Sequence, residues 1–312
     1  MHIQNELLSP PVAAGTCALA SAALAFICRK GRKLINPEDL AMMGVLGAFI
    51  FAAQMVNFPL PLMPAASGHI TGAVLLAIIL GPYAASIVLS SVVIVQCLIF
   101  QDGGLLALGC NLINIAIVPS FVGYAIYDLF ASRLRLHFST IAACLAAVIT
   151  GAGLVIIQAA ISGVLKVPLM TFTVAMLSTY AIIGLIEGLI TAAVLTYLRR
   201  TRPNFAIVPN ASSPKLSRGS LYFTIIVITI ITAVFLPLIA SDKPDGLEWS
   251  SSHRSDQHAK LSPLPDYTLN AAGGHKNWTS FATVTGSAMT LILIYLSGRL
   301  IAKRNRNAPC PN

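Results

Sequence analysis

What most constrains this chain is a series of apolar runs, closed off again and again by clusters of Arg and Lys. A hydrocarbon core takes about 20 helical residues to cross. Eight runs approach that length: Leu7 to Ile27, Leu40 to Val56, Tyr83 to Phe100, Leu105 to Leu129, Thr140 to Ile161, Thr171 to Leu198, Leu221 to Ala240 and Phe281 to Ile301. Another opens at His69 and ends at Gly81-Pro82. At about twelve residues it is short for a span and reads as a tilted or partly re-entrant helix, tolerable only where protein covers it. Only 10% of the 312 residues are charged, against about 25% in a soluble domain. The expectation is an all-α, polytopic helical protein of the cell (cytoplasmic) membrane, with about nine membrane segments.

The basic clusters orient it. Arg29, Lys30, Arg32 and Lys33 close the first run, Arg133 and Arg135 the run from Leu105, Arg199, Arg200 and Arg202 the run from Thr171, and Lys303, Arg304 and Arg306 the last. Positive charge stays in the cytoplasm, so the N-terminus is expected on the outer side and the C-terminus in the cytoplasm. With the short run counted as a crossing, 15 of the 20 Lys and Arg fall inside. The others are Lys166 and, in one long outer loop, Lys243, Arg254, Lys260 and Lys276; long loops escape the bias. One crossing fewer before Arg133 would put basic clusters on both sides. The net charge of +9 is therefore a matter of topology, and no nucleic-acid partner is expected. The first run is followed by its basic cluster, which is the wrong order for a cleaved signal peptide. Residues 201–219 are polar and proline-rich, a cytoplasmic linker between a membrane domain at 1–200 and a module at 220–312 with two spans and an outer loop.

Several residues could carry chemistry. Behind an unblocked amine, Met1 and His2 can chelate one metal ion: the α-amino group, the amide nitrogen of His2 and its Nδ1 close a five- and a six-membered ring in one plane. That geometry favours Ni(II) and Cu(II), and low-spin Co(II) adopts it too. Taken alone, the pair is also what any frayed terminus might show. His69 enters from the same outer face, just after Ser67-Gly68. It either supplies a fourth nitrogen or snorkels to the interface, and spacing does not decide. Asn111 and Asn114, with Gln54, Asn57 and Gln96, are amides in or beside spans; they join helices or, with Ser67, support a ligating histidine. Glu187, in GLIEGL, is the one acid deep in a span, where an ionisable group has a role or a partner. Parity puts it in the inner half. His253, His258 and His275, with Asp242, Asp245, Glu248, Asp256 and Asp266, either collect divalent cations loosely or form a solvated loop. The six cysteines contain no CxxC pair and suggest neither a disulfide framework nor a zinc site. GxxxxGK[ST], a nucleophile elbow and HExxH are all missing, so no enzymatic activity is expected.

The opening MHIQNELLSPPVAA, the segment FAAQMVNFPLPLMPAASGH, LLAIILGPYAA, QDGGLLALGCNLINIAIV and the following VGYAIY closely resemble the CbiM/NikM type, the substrate-binding membrane components of energy-coupling-factor cobalt and nickel transporters. PDGLEW (Pro244 to Trp249) and LPDYTL (Leu264 to Leu269) resemble the PDGLE module fused to such proteins. The resemblance implies that a transported Ni(II) or Co(II), not a permanently bound cofactor, is held by Met1, His2 and His69. It also implies that import needs a transmembrane coupling (T) protein and separate cytoplasmic ATPase subunits. The fused tail leans the cargo towards nickel by association. Family openings usually read MHIPDGFL or MHIMEGFL, so Gln4-Asn5-Glu6 departs, as does Leu62-Met63-Pro64-Ala65-Ala66 in a usually glycine-rich loop. The alternative is a stand-alone secondary transporter, proton-coupled through Glu187.

Overall fold

In lipid every backbone N–H and C=O must find its partner within the protein, so apolar runs of this length become helices. The computed structural model describes residues 2–36, 39–61, 63–201, 218–241, 243–251, 264 and 276–306. Helix α1 (Pro10–Leu34) opens on two prolines, whose missing N–H groups go unneeded in a first turn, and carries Arg32 and Lys33 in its last turn. After α2 (Leu40–Gln54) the proline-rich stretch forms a two-stranded antiparallel ribbon of β1 (Phe58–Leu60) and β2 (Met63–Gly68). Phe58 faces Gly68 and Pro59 faces Ser67, and the register shifts between Pro59 and Leu60. Proline has no N–H for the ladder, which suits an interrupted edge.

The chain continues with α3 (Ala73–Leu80), α4 (Pro82–Phe100), α5 (Leu108–Asn111), a π-helical stretch (Leu112–Ile117), α6 (Val118–Ala131), α7 (Leu136–Ser162) and α8 (Leu169–Thr201). Then come α9 (Arg218–Ile239), the short α10 (Gly246–Ser251) and α11 (Lys276–Arg306). Among the described residues, 6 helical stretches are long and apolar enough to cross a membrane: α1, α4, α5 through α6, α7, α8 and Trp278–Arg299 of α11. Leu40–Gln54 and Tyr222–Leu238 are apolar but shorter. The protein is a multi-pass membrane protein.

The run from His69 differs from expectation in an informative way. His69 to Gly72 is not helical, and α3 has 8 residues. At about 1.5 Å per residue such a helix cannot cross a bilayer by itself. Gly81, at φ 81° and ψ 157°, ends it, and Pro82 starts α4 at once, because proline cannot continue the preceding helix. The short helix is buried, from Ala73 to Ile78, so protein covers it as a re-entrant segment requires.

Helix α4 is the innermost element. Val88, Leu89, Val92 and Val93 have no exposed surface, and its neighbours include α1, α2, α3 and α11. Leu19, Phe26, Ile157, Ile161, Phe223 and Phe235 project outward from α1, α7 and α9, as lipid-facing positions do. The C-terminal helices α9 and α11 pack on α2. Among the described residues Cys17, Cys28, Cys97, Cys110 and Cys144 are free thiols.

Candidate metal centre

The segment before α1 is held in place by hydrogen bonds and by buried apolar side chains. The Ile3 N–H donates to Asn111 Oδ1 at 2.7 Å, and Asn111 Nδ2 returns a bond to the Ile3 carbonyl at 3.2 Å. Gly104 N–H donates to the same carbonyl at 3.0 Å, and Leu106 N–H to Asn5 Oδ1 at 3.0 Å. A side chain at Gly104 would run into the Asn5 side chain; the Gln101-Asp102-Gly103-Gly104 connection needs glycine here because the N-terminal segment lies against it. Ile3, Leu7 and Leu8 are buried and complete the anchoring. Met1 lies outside the described residues.

These bonds place His2 in a buried site. Its ring lies against that of His69, with centroids 5.8 Å apart and planes 22° from parallel. His2 Nε2 is 3.2 Å from Gln96 Oε1 on α4, and Nδ1 is 3.4 Å from Asp102 Oδ1. His69 Nδ1 is 3.2 Å from the Ile70 carbonyl. Both imidazoles titrate below the ordinary histidine range. Burial is the main cause for His2, helped by the positive amino terminus and opposed by Asp102. For His69, burial, then the amino terminus and then His2 push it down to about 4. Both rings are therefore neutral near pH 7, as metal ligands must be.

A lid comes from the second module. Ser67 N–H donates to the Pro244 carbonyl at 2.8 Å, its hydroxyl donates to the Lys243 carbonyl at 2.7 Å, and Ser67 bridges in parallel to Asp245. Asp245 Oδ1 accepts from the N–H groups of Leu247 and Glu248 at the start of α10. Burial alone would raise the Asp245 carboxyl, but the amino-terminal charge and His69 outweigh it and hold it down at about 2. Gln4 Nε2 donates to Glu248 Oε1 at 3.2 Å. Burial and the neighbouring Asp245 raise Glu248. An acidic edge therefore closes over the two histidines, supplied by a segment more than half the chain away.

The amides divide between the roles that the sequence left open. Asn111 holds the backbone of Ile3 rather than an imidazole. Asn114 turns away and exchanges two bonds with Gln158 on α7, at 2.7 and 2.9 Å, so it joins helices and leaves the histidines alone. On an α-helix, residues three apart share a face; the π-helical stretch beginning at Leu112 unwinds that relation. Ser67 holds the lid. Gln96, one of several amides in the sequence, is the one that meets His2.

Glu187 lies on α8. It is buried, accepts from Thr71 N–H and Gly72 N–H at 2.9 Å each and from the Thr71 hydroxyl at 2.8 Å, and so anchors the link just after His69. His253, His258, His275, Asp242, Asp256 and Asp266 lie outside the described residues. Among the described residues, no three side chains of His, Cys, Asp and Glu form a ready cage for a metal ion.

Comparison with known proteins adds the following. Residues 2–205 match the CbiM family, the cobalt uptake substrate-specific transmembrane region, and residues 219–303 match the PDGLE domain. A putative fused nickel transport protein, NikMN, of Archaeoglobus fulgidus is 32% identical over 94% of this chain and 96% of its own length. The fused nickel transport protein NikMN of Rhodobacter capsulatus is 31% identical over 65% of this chain and 63% of that protein. The cobalt transport protein CbiM of Acetoanaerobium sticklandii is 34% identical over 48% of this chain and 62% of its own. A crystal structure of a transition metal transporter superposes with a TM-score of 0.58 at 32% identity, covering 64% of this chain and 93% of that one.

Proposed function

This chain belongs to the CbiM family of cobalt-uptake substrate-specific transmembrane proteins and carries a PDGLE domain behind it, and from that premise we propose that it captures Co(II) or Ni(II) through four nitrogens. These are the Met1 amine, the amide nitrogen and Nδ1 of His2, and a nitrogen of His69. The protein is a nickel or cobalt transport component, not an enzyme. The observation that carries the ligand set is the stacking of His2 on His69 beside the amino-terminal charge. A planar nitrogen set suits Ni(II) and low-spin Co(II), whereas Zn(II) prefers a tetrahedron and Mg(II) an oxygen octahedron. The fused PDGLE domain and the relatives named for nickel lean the cargo towards Ni(II).

In this reading the site faces outward from the cytoplasmic membrane and the C-terminus lies in the cytoplasm. The six long helices, α2, α9 and the stretch from His69 through the short α3 taken together are counted as the nine segments. Residues 1–200 form the metal-binding domain, 201–219 a cytoplasmic linker and 220–312 the accessory module. Import is driven by cytoplasmic ATPase subunits through a transmembrane coupling (T) protein, as an energy-coupling-factor importer works. The rival, a stand-alone proton-coupled carrier, needs Glu187 free to exchange protons, and its carboxylate is committed to three donors. Metal analysis of the purified protein beside His2→Ala tests the ligand set: nickel or cobalt lost in the variant is expected, and equal metal content would overturn it. Uptake that persists without any ATPase partner would favour the carrier.

A further inference from the structure

His2 is one end of a buried hydrogen-bond chain that runs through three elements. Gln96 Nε2 donates to Gln54 Oε1 at 2.8 Å, and Gln54 Nε2 donates to the Thr71 carbonyl at 2.7 Å. Thr71 is fixed in turn, because its N–H and its hydroxyl both donate to Glu187. Gln54, Gln96, Thr71 and Glu187 are all buried.

This chain has only one workable direction. A carbonyl oxygen only accepts, so Gln54 must present its NH2 group to Thr71. Its oxygen then faces Gln96, which must answer with its own NH2 group, and the oxygen of Gln96 is left facing His2. Turning either amide around would set oxygen against oxygen in a buried site, at a cost of about 1–3 kcal/mol for each unsatisfied group. The orientation of both side-chain amides therefore follows from one backbone carbonyl.

We propose that the Gln54–Gln96 relay, anchored on the Thr71 carbonyl and Glu187, fixes the tautomer of His2 by keeping the hydrogen on Nε2 and leaving Nδ1 bare. Gln54 and Gln96 are positioning residues; this extends the metal-site reading above, on which its functional meaning rests. In the proposed chelate Nδ1 is the atom that closes the six-membered ring, so the relay holds the ring in its ligating form before metal arrives. Nδ1 lies 3.4 Å from an Asp102 carboxylate oxygen, an acceptor that competes for the ring hydrogen, and the relay opposes it by presenting the Gln96 oxygen to Nε2 at the shorter 3.2 Å. Metal-bound histidines elsewhere are oriented the same way, by what the other ring nitrogen touches.

The test is nitrogen-15 NMR of metal-free, full-length protein carrying ring-labelled histidine, at a pH where the ring is neutral, with His2 assigned by its absence in His2→Ala. Wild type is expected to show a protonated Nε2 and an unprotonated Nδ1. Gln54→Leu does not touch the ring, yet is expected to give mixed tautomers and about a tenfold loss of Ni(II) affinity. Asn114→Leu, which breaks a buried amide pair outside the relay, leaves the tautomer unchanged. An unprotonated Nε2 in wild type overturns the proposal without any variant, and so does an unaltered tautomer in Gln54→Leu. Because the tautomer is read without metal, a wild-type protein that binds no nickel would sink the metal-site reading while leaving the relay intact.

Discussion

The imidazoles of His2 and His69 lie ring to ring, 5.8 Å between centroids, although one belongs to the chain's first residues and the other follows the β-ribbon. Each is held by its own hydrogen bonds, so losing one ring does not dismantle the other's support. His2→Ala and His69→Ala are each expected to weaken Ni(II) or Co(II) binding by at least about 100-fold, with the variants still monodisperse in detergent. Metal content and equilibrium titration measure this.

The chelate needs a free amine and gives up an amide proton. One residue added before Met1 is expected to abolish binding. In the unmodified protein, binding should release protons and affinity should rise with pH. His69, held down to about 4 by burial, the amino terminus and His2, is already neutral above pH 6 and does not account for that rise. Calorimetry in two buffers of different ionisation heat reads the protons directly; zero release would remove the amide from the ligand set.

Gly104 touches no proposed ligand, yet the N-terminal segment lies against it. Gly104→Ala puts a methyl group into the Asn5 side chain, and overpacking of this kind costs about 1–3 kcal/mol. The segment should undock. Metal binding should fall about as far as in His2→Ala, while the melting temperature of the helical body moves little. Circular dichroism melts run beside metal titrations separate the two effects.

Glu187 accepts from Thr71 and Gly72, and Gln cannot accept on both of its termini. Glu187→Gln therefore strands a buried donor, at about 1–3 kcal/mol. The expected phenotype is a lower melting temperature with weakened binding. Intact binding with abolished uptake would instead point to proton coupling through this residue. Uptake assays with and without an uncoupler distinguish the two.

Asp245 closes over the site from the PDGLE segment, held below the usual carboxylate range against the pull of its own burial by the amino terminus and His69. Asp245→Asn keeps the shape and removes the charge. A drop in Ni(II) affinity of about tenfold is expected, and Ser67→Ala, which cuts the hydroxyl bond to Lys243, should speed hydrogen exchange over 243–251 without a comparable loss. Unchanged affinity in Asp245→Asn would reduce the segment to a passive cover.

The sequence by itself determined the class and the chemistry on offer. Apolar runs between Arg-rich clusters require a helical membrane protein, because lipid offers backbone groups no other partner, and Met1, His2 and His69 are nitrogen donors legible in the sequence alone. It also marked the amides as a set. Which amide does what was not legible: a buried side chain's partner depends on how two helices are rotated against each other, and the apolar runs carry no record of that. Asn114 and Gln96 look alike in the sequence; the π-helical stretch turns Asn114 towards Gln158, and the packing of α4 brings Gln96 to His2. Crossing parity does not say what Glu187 touches: the non-helical link before the short α3 meets α8 at that carboxylate, a contact set by packing. The closure by Asp245 was the least visible of all, since a contact between residues this far apart is written only in the tertiary fold.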